Sequence, residues 1–375
     1  HDAHKKETVE ISGLGRWPRS ASIDYFQRNF GHDIPTGIQR TVVPSAADAW
    51  LTALEKYGTM TFEQVVTPAL ELAEHGFPLS ANTQRFLTGR QETVAADPSK
   101  WRSTADVFMP NGHAPRVGEV LVQRDLARTF KRLIEVERAN APSGREGAIR
   151  AARDMFYKGD IAEEMARFSQ EQGGLLDLDD LRDFSVKIEE PVAGRFRDYT
   201  VYTCGPWCQG PVVAQTLQML EDDDLAALGH NSADYIHLVS QALNLAYSDR
   251  HHYYGDPDLV DVPIEGLLSK EYTRTRRDAI DKDRSFEQMP PPGEPWPYQA
   301  APDRRTAGQR LETVSGHLEQ DTSYTCAVDR WGNAFSATPS DSLFGSVVVP
   351  GLGIMLSSRG TQSWLEADHP SSVQP

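Results

Sequence analysis

The sequence predicts an α+β layered fold, in which a helix-rich stretch precedes a β-rich one. Apolar residues recur at helical spacing as far as about Tyr247, and alternating, strand-like runs dominate after Thr322. A tract dense in Pro separates them, with Pro290, Pro291, Pro292, Pro295, Pro297 and Pro302 close together.

The helices carry start and stop signals. Ser45 with Asp48 predicts a capping-box start, Trp50, Leu51 and Leu54 an apolar stripe, and Gly58 a stop. Thr61 with Gln64 starts the next helix, which runs through Val65, Leu70 and Leu72 to Gly76. Leu126, Phe130, Leu133 and Ile134 mark a third at helical spacing. Pro211 at a first helical position opens Val212 to Leu220. Ser232 caps a longer helix carrying Tyr235, Ile236, Val239, Leu243 and Tyr247. Tyr199 to Thr203 reads as a short strand. Ser323 to Val328 and Ala334 to Thr338 read as a β-hairpin around Asp329-Arg330-Trp331-Gly332-Asn333. Val347 to Val349 and Ile354 to Leu356 continue the β trend around Pro350-Gly351.

Composition narrows the function classes. With 375 residues, 39% hydrophobic and 9% aromatic, the chain is long and apolar enough for a large core. Its net charge of −16, with no basic stripe, argues against a nucleic-acid partner. No apolar run reaches the length of a transmembrane helix. The acidic run Glu221 to Asp224 reads as a solvated helix end or loop, lacking the ligand spacing of calcium loops. His251 and His252 near Asp249 and Asp256 match no zinc spacing, and no glycine pattern reads as a phosphate loop. No metal or cofactor is expected.

Among three cysteines, Cys204-Gly205-Pro206-Trp207-Cys208 has three residues between its thiols where the thioredoxin-type motif has two. It reads as a structural loop between strand and helix. The chain starts His1-Asp2-Ala3 with neither Met nor an apolar leader, and ends at Pro375 without a closing element. A piece of a longer protein is expected, and compartment is left open.

The chemistry concentrates at Asp321-Thr322. A Thr hydroxyl inside a chain has no adjacent base and is a poor nucleophile. Cleavage before Thr322 would give it a free α-amine of pKa about 7.7–8.0. That amine can take the proton of its own hydroxyl. The Pro-rich tract, about 289–321, reads as exposed, mobile chain of the kind a self-cleaving junction needs. The same features also describe an interdomain linker followed by a strand Thr.

Read in order, several blocks resemble the γ-glutamyltransferase (γ-glutamyltranspeptidase) family. They are Val43-Pro44 with Ala49 to Met60, Pro68-Ala69 to His75-Gly76-Phe77, and Phe156-Tyr157-Lys158-Gly159 with Ile161-Ala162. Gly173-Gly174-Leu175-Leu176 with Asp180-Leu181, and Tyr247-Ser248-Asp249-Arg250 leading to Gly255-Asp256-Pro257, continue the series. Asp321-Thr322, Val328-Asp329 and Gly332-Asn333-Ala334 complete it.

The resemblance implies a four-layer αββα N-terminal nucleophile hydrolase fold, incomplete here. Residues 1–321 would be the large-subunit portion and 322–375 the start of the small subunit, the two staying associated after autocleavage at Asp321–Thr322. Thr322 would attack a γ-glutamyl amide such as glutathione, passing the acyl group to water, an amino acid or a peptide. Ser340 would stand where the family has a second hydroxyl supporting the nucleophile. Ser342, Ser358, Arg359 and Gln362 would occupy its substrate-binding positions.

At those positions the chain departs from the family. Ser342 replaces an Asn that meets the donor's α-amine, and Gln362 replaces an acidic residue. A carboxylate there would give a charge-assisted hydrogen bond to an ammonium group, which Gln cannot. Arg359 would repel that ammonium and attract a carboxylate. A cephalosporin-acylase-like amidohydrolase, or an unprocessed non-catalytic homologue, are the alternatives. The family's α-carboxylate-binding Arg and its oxyanion-hole pairs find no match within the chain, so the chain alone is expected to be inactive.

Overall fold

The computed structural model describes residues 1–300 and 322–374. They form two compact units, one of residues 11–187, 322–365 and 373–374, the other of residues 1–10, 188–300 and 366–372. Asp321 and the rest of 301–321 lie outside the described residues, so the expected cleavage boundary falls at their edge.

The first unit is mostly helical. Helix Phe62–His75 starts with a true capping box: Gln64 N–H donates to Thr61 Oγ1 at 3.2 Å and Thr61 N–H to Gln64 Oε1 at 2.9 Å. Its next free donors, Phe62 and Glu63 N–H, are taken by Glu137 at 2.6 and 2.8 Å. Glu137 belongs to helix Arg124–Ala139, so one buried carboxylate both caps a helix start and docks a neighbour.

The capping box expected at Ser45 does not form. Helix Ala46–Tyr57 begins there, but Ser45 gives its hydroxyl to the Gly13 carbonyl. Asp48, fully buried, is instead held by Arg153 Nη2 at 2.9 Å and Val186 N–H at 2.8 Å. A buried charge pair outweighs a local cap, because an unpaired buried carboxylate costs more than an uncapped N–H. Tyr157 completes the start, donating to the Pro44 carbonyl at 2.6 Å and accepting from Asp48 N–H at 3.1 Å. Trp50 faces outward from this helix, while Leu51 is buried.

One core joins the helices to the β-rich tail. Ile149, Ile161, Met165, Leu176 and Leu181 are fully buried, and Val347, Val348, Val349, Leu352 and Leu356 enter the same cluster. Each such side chain contributes roughly 1.5–3 kcal/mol on burial. The Val348↔Met355 bridge folds this tail back on itself, as its β pattern predicts. Gly353 at the bend has φ +67°, and a Cβ there would lie 2.3 Å from Leu126 N, so only glycine fits. Strands Thr325–Val328 and Ala334–Ala337 pair with Val328 opposite Ala334. Asp329 closes their turn, accepting from Trp331 and Asn333 N–H, both at 2.9 Å.

In the second unit, Pro211 sits in the first turn of helix Gly210–Met219 and Ser232 caps helix Ala233–Tyr253, both as the sequence predicts. Tyr199–Thr203 pairs with Val192–Phe196. Buried Asp249 accepts from Gln215 at 2.6 Å, Tyr272 at 2.8 Å and Gly293 N–H at 2.9 Å, and pairs with Arg276 at 3.1 Å. With Ser248 donating to the Pro290 carbonyl at 2.5 Å and Tyr253 to the Gly293 carbonyl at 2.6 Å, the first part of the Pro-rich tract is fastened to helices. This differs from the mobile chain that its composition suggests: prolines remove donors but leave carbonyls for buried hydroxyls. Among the described residues every sheet has two strands, and no helix is long and apolar enough to cross a membrane.

Candidate active site around Thr322

Thr322 precedes the hairpin and Ser340 follows it. Antiparallel pairing returns the chain to its start, and Ser323 N–H donates to the Pro339 carbonyl at 3.0 Å. Thr322 Oγ1 and Ser340 Oγ are thereby 2.7 Å apart, with Thr322 exposed and Ser340 half-buried.

Arg359 meets Ser340 from the other side. Its Nε donates to the Ser340 carbonyl at 2.8 Å and its Nη2 donates to Ser340 Oγ. Burial pushes the Arg359 pKa down and Asp341 opposes that shift; the side chain stays cationic. Arg359 opens a short 3₁₀ turn, Arg359–Gln362, whose Gly360 has no room for a Cβ against the Trp17 ring and the Arg40 carbonyl. Trp17 Nε1 also donates to Ser363 Oγ at 2.8 Å. The turn is thus fixed at both ends, and the direction of Arg359 with it.

Ser358 and Ser342 share one carboxylate, Asp341, which the sequence reading did not single out. Ser358 Oγ donates to Asp341 Oδ1 at 2.5 Å and Ser358 N–H at 3.1 Å, while Ser342 N–H donates at 2.8 Å. The Ser342 hydroxyl donates to the Leu343 carbonyl at 3.3 Å. Gln362 is exposed at the end of the turn. Thr322, Ser340 and Arg359 therefore form one hydrogen-bonded group, and Ser358 and the Ser342 backbone form a second on Asp341, the two adjoining where Asp341 follows Ser340 and Arg359 follows Ser358.

Phe344 has φ +63°, a left-handed conformation rare for a bulky residue. Its ring is buried against Trp101 and Phe108, at 5.7 and 6.3 Å between centroids. Next to it, a Cβ on Gly345 would lie 2.4 Å from Ser358 Oγ. The strained loop is held by core packing and brings Asp341 under Ser358. No local pattern marks such a position.

A family model described as Gamma-glutamyltranspeptidase matches residues 1–375. The chain belongs to the γ-glutamyltranspeptidase family. Its relatives include the glutathione hydrolase proenzyme of Bacillus subtilis (strain 168), 31% identical over 383 residues, covering 100% of this chain and 61% of that protein. The chain thus spans about three fifths of that relative's length. The cephalosporin acylase of Bacillus halodurans is similar in structure, with TM-score 0.79 and 26% identity, over 98% of this chain and 61% of that one. The γ-glutamyltranspeptidase of Helicobacter pylori matches with TM-score 0.64 and 27% identity, over 76% of this chain and 81% of that one. This γ-glutamyltranspeptidase-family chain has the mixed helix-and-sheet N-terminal nucleophile hydrolase fold.

Proposed function

We propose that the full-length protein is an autoprocessing N-terminal-threonine acyltransferase and hydrolase acting on γ-glutamyl amides such as glutathione. The observation that supports it most is the 2.7 Å hydrogen bond between Thr322 Oγ1 and Ser340 Oγ, backed by Arg359. Guanidinium N–H groups only donate, so Ser340 Oγ accepts from Arg359 while its own O–H is able to donate to Thr322 Oγ1. Cleavage of the Asp321–Thr322 bond supplies the α-amine. That amine takes the Thr322 hydroxyl proton as Oγ1 attacks the acyl carbon, while Ser340 steadies the charge developing on Oγ1. The tetrahedral intermediate expels the leaving amine, which receives the proton, and leaves an acyl ester on Thr322. Water or an acceptor amine then attacks the ester with the same amine as base. The tail from Val347 to Leu356 shares a core with the large-subunit portion, which supports continued association of the two pieces after cleavage.

Arg359 favours a second reading within this mechanism. A cation hydrogen-bonded to Ser340 of the hydroxyl pair suits a donor with a carboxylate and no α-amine, the class that a cephalosporin-acylase-like enzyme takes. Turnover of γ-glutamyl and glutaryl anilides by the full-length protein separates the two. Preference for the γ-glutamyl compound supports the first reading and preference for the glutaryl compound the second. Cleaved, folded protein that turns over neither contradicts both.

A further inference from the structure

The three-residue spacing between Cys204 and Cys208 does not keep their sulfurs apart. Cys204 follows strand Tyr199–Thr203, and the chain reverses at once, Cys208 N–H donating to the Gly205 carbonyl at 3.1 Å. Helix Gly210–Met219 starts two residues later, and its first N–H donates to Cys208 Sγ at 3.3 Å. A Cβ on Gly210 would lie 2.9 Å from Cys204 Sγ and 2.6 Å from its carbonyl, so the glycine leaves room for that sulfur at the helix start. The two Sγ atoms are 2.8 Å apart, and both residues are half-buried.

The surroundings are built around the pair. Glu10 accepts from Gly205 N–H at 3.0 Å, and Trp207 Nε1 donates to Glu189 at 3.0 Å, which pins the loop on both sides of Pro206. Burial, with Cys204 and Glu189 nearby, raises the Glu10 carboxyl to about 8, so at neutral pH it is largely protonated and adds little negative charge beside the sulfurs. The hydrogen bond from Cys208 lowers the Cys204 thiol to about 7, and the same shared proton pushes Cys208 up. Cys204 is thus poised as the attacking sulfur and Cys208 as the resolving one.

We propose that Cys204 and Cys208 form a reversible dithiol–disulfide site whose reaction partner is a low-molecular-weight disulfide. The Cys204 thiolate attacks one sulfur of the disulfide RSSR, forming a mixed disulfide and releasing RS⁻. Cys208 gives up its proton and attacks Cys204 Sγ, which closes the intramolecular bond and expels the second RS⁻. Both leaving thiolates take up the protons that the cysteines lost. The two thiols are oxidised and RSSR is reduced to two RSH. Closing this bond ties the end of the strand to the start of the helix.

The test uses the full chain with Cys326→Ser, because Cys326 is exposed and would react by itself. The probe is glutathione disulfide, titrated against reduced glutathione, followed by alkylation and mass spectrometry. The expected result is loss of two hydrogens, with alkylation at 204 and 208 falling together by about tenfold or more. Cys208→Ser is expected to stop at a single glutathione adduct on Cys204, released by dithiothreitol. Full alkylation of both cysteines throughout the titration, with the protein folded by circular dichroism, would overturn the proposal. So would an adduct in Cys208→Ser that forms no faster than in Cys204→Ser.

Discussion

Thr322 Oγ1 and Ser340 Oγ are separated by 18 positions in sequence and by 2.7 Å in space. A hairpin with its turn at Asp329 accomplishes this, and Arg359 fixes the orientation of the second hydroxyl. Ser340→Ala should lower turnover of the processed, full-length enzyme by about ten- to a hundredfold, the loss of one hydrogen bond to a developing charge. The reduction should fall on kcat rather than KM, since the bond matters most as Oγ1 becomes charged. A KM effect with unchanged kcat would contradict this role.

Arg359→Gln separates positioning from charge. It removes the cation while leaving a donor near Ser340, so turnover of a glutaryl anilide should fall by about tenfold or more. A γ-glutamyl anilide should lose less, because the charge repelling its ammonium is gone. Competition kinetics with both substrates in one reaction read the ratio directly, and an unchanged ratio would remove Arg359 from donor recognition.

The hairpin was legible because its signals are local: a turn closed by Asp329, Gly332 and Asn333, flanked by alternating residues. The Asp341 clamp was not, because Ser358 reaches it only through the fold of the tail. Ser45 and Asp48 show the opposite failure. Their local pattern is a correct capping signal, yet Arg153, distant in sequence, takes the carboxylate. The 2.8 Å approach of Cys204 to Cys208 was not legible from spacing and loop position, because it depends on the chain reversal at Pro206 and the space left by Gly210. Phe344 carries no signal, since packing rather than propensity holds it at positive φ.

Asp341→Ala should destabilise the protein by about 1–3 kcal/mol, because buried Ser358 loses the acceptor for both its N–H and its hydroxyl. Denaturant unfolding would read this as a lower midpoint with an unchanged slope. An effect below the error of the measurement would show that the clamp is not holding the loop.

His369 should make the fold acid-sensitive. Burial, helped by His251, Arg250 and His252, depresses it from 6.5 to about 3, and its Nδ1 accepts from Ser371 N–H at 2.9 Å, which requires the neutral ring. The unfolded chain takes up a proton below 6.5 that the folded chain refuses. The stability from this group is therefore complete above 6.5 and is lost as pH falls toward 3. The slope is at most about 1.4 kcal/mol per pH unit. His369→Asn should flatten the acid limb of a plot of unfolding midpoint against pH, and an unaltered limb would reject the assignment.

The proposed chemistry requires Thr322 to become an amino terminus. The most direct measurement is intact mass and N-terminal sequencing of the purified full-length protein beside its Thr322→Ala variant. The expected result is two pieces, the smaller beginning at Thr322, and a single uncut chain in the variant. A full-length protein that stays in one piece yet turns over substrate, or cleavage that persists in Thr322→Ala, would contradict it.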